Sequence, residues 1–147
     1  MNEQEFIESL TPKKIYYISD PRIANGIRHY RVCVKTDSGI LTILSCCTTQ
    51  YDNNINHIKK TREHYDTLVS IDHETPENNL NELTYVNCNG YEDYTENELR
   101  VLFRRRAIED GGVISDYEYK KILEGFILSR RIEGEFKQEI KEILTTL

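Results

Sequence analysis

The chain has 147 residues, a formal charge of −6, 38% hydrophobic residues and 30% charged ones, which fits one globular domain spanning 1–147 and excludes wholesale disorder. No apolar run approaches the roughly 20 residues that cross a bilayer, and the opening residues, Met1 to Glu5, are acidic where a secretory signal is basic. No membrane partner is therefore expected, and the expected location is the cytoplasm, that of a host cell if the protein is phage-encoded.

Four cysteines, Cys33, Cys46, Cys47 and Cys88, make no C-x-x-C spacing and read as free buried thiols. Abundant Asn, Ile, Lys and Tyr with no Trp fit the AT-rich genomes of low-GC bacteria, their phages and plasmids.

In chain order, residues 3–10 predict a short helix with Phe6, Ile7 and Leu10 on one side, stopped by Pro12. Residues 15–18 read as a strand ending at Asp20-Pro21, and Asn25-Gly26 is a turn signal. Tyr30, Val32 and Val34 then alternate with Arg31, Cys33 and Lys35; Asp37-Ser38-Gly39 turns; and Leu41, Ile43 and Ser45 alternate with Thr42, Leu44 and Cys46. This is a β-hairpin that sets Val34 near Ile43 and Val32 near Ser45.

Residues 53–66 carry a helical spacing, while 67–71 suits a strand after a shorter helix. The polar stretch 72–81, with Pro76, predicts a surface loop, and 83–86 a strand ending at Asn89-Gly90. From Thr95 the period turns helical. Thr95 with Glu98, and Ser115 with Glu118, fit the capping box, in which a hydroxyl accepts from a free backbone N–H and the glutamate reaches back. Gly111-Gly112 is expected to close the first of these helices, and Gly134 to precede the last. The fold class is therefore α+β: an N-terminal antiparallel sheet built around the hairpin (1–94), followed by two to three C-terminal helices packed on it (95–147).

Charge is segregated. From Glu63 to Glu98 ten carboxylates occur without a Lys or Arg, and then Arg100, Arg104, Arg105 and Arg106 supply four positive charges in seven residues. On a continuous helix Arg106 would fall in the apolar stripe of Leu99, Leu102, Phe103 and Ala107. Val101 and Ile108 would form a second apolar side, suited to a homodimer.

Catalytic constellations are harder to build. His57 and His64 are seven apart, too far for the i, i+4 pair that clamps zinc, and no phosphate-cradling glycine loop exists. No cofactor and no metal is expected.

The leading expectation is a non-enzymatic interaction protein of the phage or mobile-element accessory type. It would regulate or inhibit a basic partner protein through Tyr91, Glu92, Asp93 and Tyr94, with Glu74, Glu77 and Glu82 giving long-range attraction. The alternative is a binder of a small nucleotide or nucleic acid, using Arg104, Arg105 and Arg106 with a stacking tyrosine. A third is a small enzyme built on Cys and His.

Overall fold

A computed structural model describes residues 1–19, 28–37, 41–48, 50–74, 76–78, 80 and 82–147, with only the backbone of Leu41 and Cys46. The turns expected at Asn25-Gly26 and Ser38-Gly39, and the strand end at Asp20-Pro21, lie outside them.

Helix α1 (Glu3–Glu8) opens on a capping box in which Asn2 accepts from the Glu5 N–H. Strand β1 (Lys14–Ile18) follows, then β2 (His29–Asp37) and β3 (Leu41–Thr48). Helix α2 (Tyr51–Thr61) and one 3-10 turn (Tyr65–Thr67) lead to β4 (Leu68–Ile71), β5 (Thr84–Asn87) and β6 (Glu92–Thr95). Next come α3 (Glu96–Arg104), β7 (Ile108–Val113), α4 (Asp116–Leu128) and α5 (Gly134–Leu144). The expected capping boxes of α3 and α4 both form.

The strands make one antiparallel sheet in the order β4-β5-β3-β2-β1-β7. Strand β3 is shared along its length: its first half pairs with β6 and its last two residues with β5.

Alternation along the strands splits the core in two. Ile15, Val32, Val34 and Ile43 join Ile122, Leu123, Phe126, Phe136 and Ile140 of α4 and α5 on one face. Tyr16, Ile18, Cys33 and Leu44 join Phe6, Ile7, Leu99 and Leu102 of α1 and α3 on the other. The result is helix, sheet, helix: each helix buries one apolar stripe that it could not bury alone.

Several expectations change. The hairpin forms, with Val32 opposite Ser45, but a bulge after Cys33 brings Lys35 opposite Ile43. An extra residue on one strand shifts every later pair by one. The loop 72–81 is not wholly superficial, since Asn78 and Leu80 are buried.

The front-strand, back-helix layout holds only in part. Helices α1 and α2 sit in the front half, and β7 interrupts the back half. Helix α3 ends at Arg104 because the next segment completes the sheet: Ile108 pairs with Ile18, and Glu109 with Tyr17. Gly111 and Gly112 therefore sit in a strand and close no helix. At Gly112 φ is +95° and a Cβ would stand 2.3 Å from the Glu77 carbonyl oxygen, so only glycine lets the two backbones pass. Ile108 is buried in the sheet, so of the second apolar side expected for α3 only Val101 remains exposed on the helix.

Candidate functional site

The antiparallel registers gather certain strand ends. Ile18 stands opposite both His29 and Ile108, Arg31 opposite Cys46, and Thr48 opposite Tyr85. One end of the sheet is thus built from the close of β1 and β3, the start of β2 and β7, and Tyr85 of β5.

Arg28, just before β2, reaches across this end. Its NH2 donates to the Arg106 carbonyl at 2.7 Å, its NH1 lies 2.9 Å from Glu109, and the guanidinium sits 5.6 Å over the Tyr17 ring. Tyr17 is stacked in turn on Tyr30, its cross-strand partner, at 4.6 Å and 22°. Two strands further, about 10 Å at the usual strand spacing, Tyr51 at the head of α2 lies against Tyr85 with centroids 4.7 Å apart. Along the sheet both pairs lie to one side of the braced Arg28, and on opposite faces: Tyr30 packs on the α4–α5 core with Cys47 and Val86, whereas Tyr85, next to Val86, points to the other face.

The four arginines of 100–106 divide into two kinds. Arg104 grips Glu3 with both Nε (3.1 Å) and NH2 (2.8 Å), and Arg100 donates to Gln4 and Glu96. These two join α1 to α3. The Glu3 carboxyl is held below the usual carboxylate range, mainly by its hydrogen bond from Arg104.

Arg105 caps the helix C-terminus, and Arg106 turns the chain with φ 54°. Both are exposed, and neither has an ion-pair partner among the described residues. Arg106 is thus not in the apolar stripe, because the helix has ended before it. Beside it lies an open hollow lined by Met1, Glu3, Phe103, Arg104, Ile108 and Glu109.

The acidic-aromatic segment is largely structural. Residues 92–95 are strand β6, paired to β3. Tyr94 is 1% exposed, in the core. Tyr91 stacks on Phe136 at 4.3 Å and donates to Glu133; burial, before the Glu133 bond and charge, pushes its hydroxyl pKa up. Glu92 lies 3.9 Å from Arg31, which is itself buried. Asp93, Glu74, Glu77 and Glu82 are exposed, but the structure scatters them. Glu77 touches the end of β7, where its carbonyl accepts from the Val113 N–H.

His29 opens β2, His57 is exposed on α2, and His64 Nδ1 accepts from the Asp66 N–H, while His73 lies by Asp72 and Glu74. Cys33, Cys47 and Cys88 are free and buried. Desolvation raises Cys33 to about 12 and pushes Cys88 up as well, which opposes thiolate formation. Among the described residues no group of three His, Cys, Asp or Glu side chains is placed to hold a metal, and no helix is long and apolar enough to cross a membrane.

Arg28, Tyr17, Tyr30, Tyr51 and Tyr85 were not singled out from sequence. They are distant along the chain, and only the strand pairing assembles them. The available signal was Tyr17 and Tyr30 on either side of the Asn25-Gly26 turn signal, with Arg28 close by in sequence.

The fold and this end define a mixed antiparallel domain with an arginine–tyrosine rim. No family model matches the sequence, and no curated protein does. Among solved structures the chain is similar in fold to Mycobacterium tuberculosis toxin MazF-mt6, with TM-score 0.51 and 11% identity over 84% of this chain and 99% of that one. This likeness overturns the expectation of a non-enzymatic regulator or inhibitor bound to a basic partner: the fold it matches is found in a protein named as a toxin, and no basic partner is shown.

Proposed function

We propose that the chain is a toxin-like domain that binds single-stranded nucleic acid along the arginine–tyrosine end of its sheet. One observation carries this reading: Arg28 is held over the Tyr17–Tyr30 stack by the Arg106 carbonyl, beside two exposed arginines without carboxylate partners. Single-strand binders combine cations that follow the backbone with aromatic faces on which bases stack, each base worth roughly 1–3 kcal/mol. Arg105 and Arg106, with Arg28 beside its Glu109 partner, fill the first role; the outer face of Tyr30, and Tyr51 and Tyr85 further along, are on hand for the second, since Tyr17 is covered by Arg28 and Tyr30. The likeness to MazF-mt6 supports an effector whose own surface acts on its target.

A polymer suits this surface better than a free nucleotide. Small ligands are held in enclosed sites, whereas the hollow beside Arg106 is open and carries the Glu3 and Glu109 carboxylates. A strand can reach Arg105 and Arg106 clear of Glu3, while at Arg28 it must share the guanidinium with Glu109, which lies 2.9 Å from it.

Fluorescence anisotropy with labelled single-stranded RNA and DNA tests the reading. Binding should weaken with salt at a slope near −2, about 0.7 for each of three phosphate contacts, and Arg28→Gln should weaken it strongly. Absence of binding to either strand at low salt, or binding indifferent to salt, would overturn it. A difference between the RNA and DNA arms would show whether the 2′-hydroxyl is read.

A further inference from the structure

We propose that a second cationic surface, at the C-terminal end of α2, holds the backbone of the same strand beyond the sheet end. The inference rests on the reading above and extends the ligand to a longer strand.

Five cations lie on the two segments that Arg130 joins there. Lys59, Lys60 and Arg62 close α2, and Arg130 and Arg131 follow α4; all five are exposed. The Arg130 guanidinium donates to the carbonyls of Thr61 at 3.0 Å and Arg62 at 3.1 Å. Carbonyl oxygens fix a guanidinium in place without cancelling its charge, so this cation is positioned in advance and still available to an anion.

Among the described residues the acid bonded to these cations is Glu63, almost wholly buried. It accepts from the Arg130 backbone N–H and lies 4.0 Å from the Arg131 Nε. Lys59, Lys60 and Arg62 have no ion-pair partner among the described residues. The helix C-terminus itself contributes about half a negative charge. One carboxylate and half a charge do not balance five cations, and in a chain of net −6 such an excess is notable.

Geometry supplies the link. Helix α2 begins at Tyr51, stacked on Tyr85 at the sheet end, and runs 11 residues to Thr61. That is about 16 Å of helix, the reach of roughly five nucleotides at the 3.4 Å spacing of a stacked strand. A strand whose bases meet the tyrosines at the head of α2 therefore carries its next phosphates to the cations at its foot.

The test compares 4- and 12-nucleotide single strands of uniform sequence by anisotropy. It uses wild type and the triple variant Lys59→Gln, Lys60→Gln, Arg62→Gly. Arg62 has φ 60°, where glycine is at ease, so the variant should keep its fold, checked by circular dichroism. Wild type should bind the 12-mer more tightly than the 4-mer. The triple variant should lose more than about tenfold for the 12-mer at 0.1 M salt, with a salt slope lower by about 2, and bind the 4-mer unchanged. Equal affinity of wild type for both lengths, or a triple variant equal to wild type on the 12-mer, would overturn the second surface while 4-mer binding sustained the first. Failure of wild type to bind either length would overturn both.

Discussion

Replacing Arg106 by glycine separates the role of its charge from that of its backbone. Arg106 has φ 54° and an exposed side chain without an ion-pair partner among the described residues, while its carbonyl holds Arg28. A left-handed conformation costs a non-glycine residue about 1–2 kcal/mol, and glycine's greater loss of chain freedom returns about 0.5–1 kcal/mol of that. Arg106→Gly should therefore be more stable by about 0.5–1 kcal/mol, which raises Tm by roughly 2 °C for a chain of this size. The carbonyl, and hence the Arg28 brace, survives. Removing one phosphate contact on a single strand lowers the salt slope by about 0.7, or roughly fivefold in affinity at 0.1 M salt. Thermal melts and anisotropy on one preparation read both quantities. A variant that is more stable but binds with unchanged affinity and slope would refute the role of Arg106; a lower Tm would refute the strain argument.

Gly112→Ala should destabilise the fold by about 2–4 kcal/mol in chemical denaturation, because its Cβ would stand 2.3 Å from the Glu77 carbonyl oxygen and 2.6 Å from the Asn78 Cα, both backbone. Parental stability would contradict that close approach. Native protein treated with a thiol reagent at pH 8 should leave Cys33 and Cys88 unlabelled by peptide mapping, given their burial and raised pKa values; rapid labelling of either would refute their burial. The Tyr119 hydroxyl donates to the Val34 carbonyl at 2.7 Å, and burial raises it from 10.0 to about 12. The folded state thus prefers the neutral phenol: its stabilisation is complete below pH 10 and is lost as pH rises through 12. Tyr119→Phe should cost about 1 kcal/mol at pH 7 and shrink the alkaline loss, though Tyr16, also raised by burial, keeps part of it. Parallel pH curves would refute the assignment.

The legible parts of this fold were those written in local chemistry. Thr95 with Glu98 and Ser115 with Glu118 announce their helices because a capping box needs only four consecutive residues. The β2–β3 hairpin shows in strict alternation. The bulge at Val34 does not, since nothing in the residues fixes where a ladder slips. Residues 105–113 misled for a tertiary reason: β1 has an edge that Ile108–Val113 fills, and sheet completion outweighed the helical pattern carried past Arg104. The arginine run marked a charged region, but sequence could not tell Arg104, taken by Glu3, from Arg106, which has no such partner. Likewise Tyr94 looked like an interface tyrosine until alternation in β6 turned it into the core.

A net charge of −6 argues against a polyanion partner only where acids act at the same place as the arginines, as Glu3 and Glu109 do; the acidic loop stands elsewhere. Glu77 meets the chain at Val113, the last residue of β7, whereas Arg106 stands just before Ile108, its first. Six strand residues separate them by roughly 17–20 Å. At 0.1 M salt the screening length is about 10 Å, so repulsion from the Glu77 region scarcely reaches a phosphate at Arg106. At 0.01 M it is about 30 Å, and the same acids are felt. Affinity for a short single strand should therefore rise as salt falls toward about 0.1 M and then flatten, departing from the straight log–log line of simple counterion release. Glu77→Gln should bring the low-salt end closer to the line while leaving affinity at 0.1 M unchanged. A line that stays straight to 0.01 M in wild type would mean that the acidic loop lies beyond the reach of the bound strand. An effect of that change at 0.1 M would put Glu77 closer to the ligand than the separation along β7 allows.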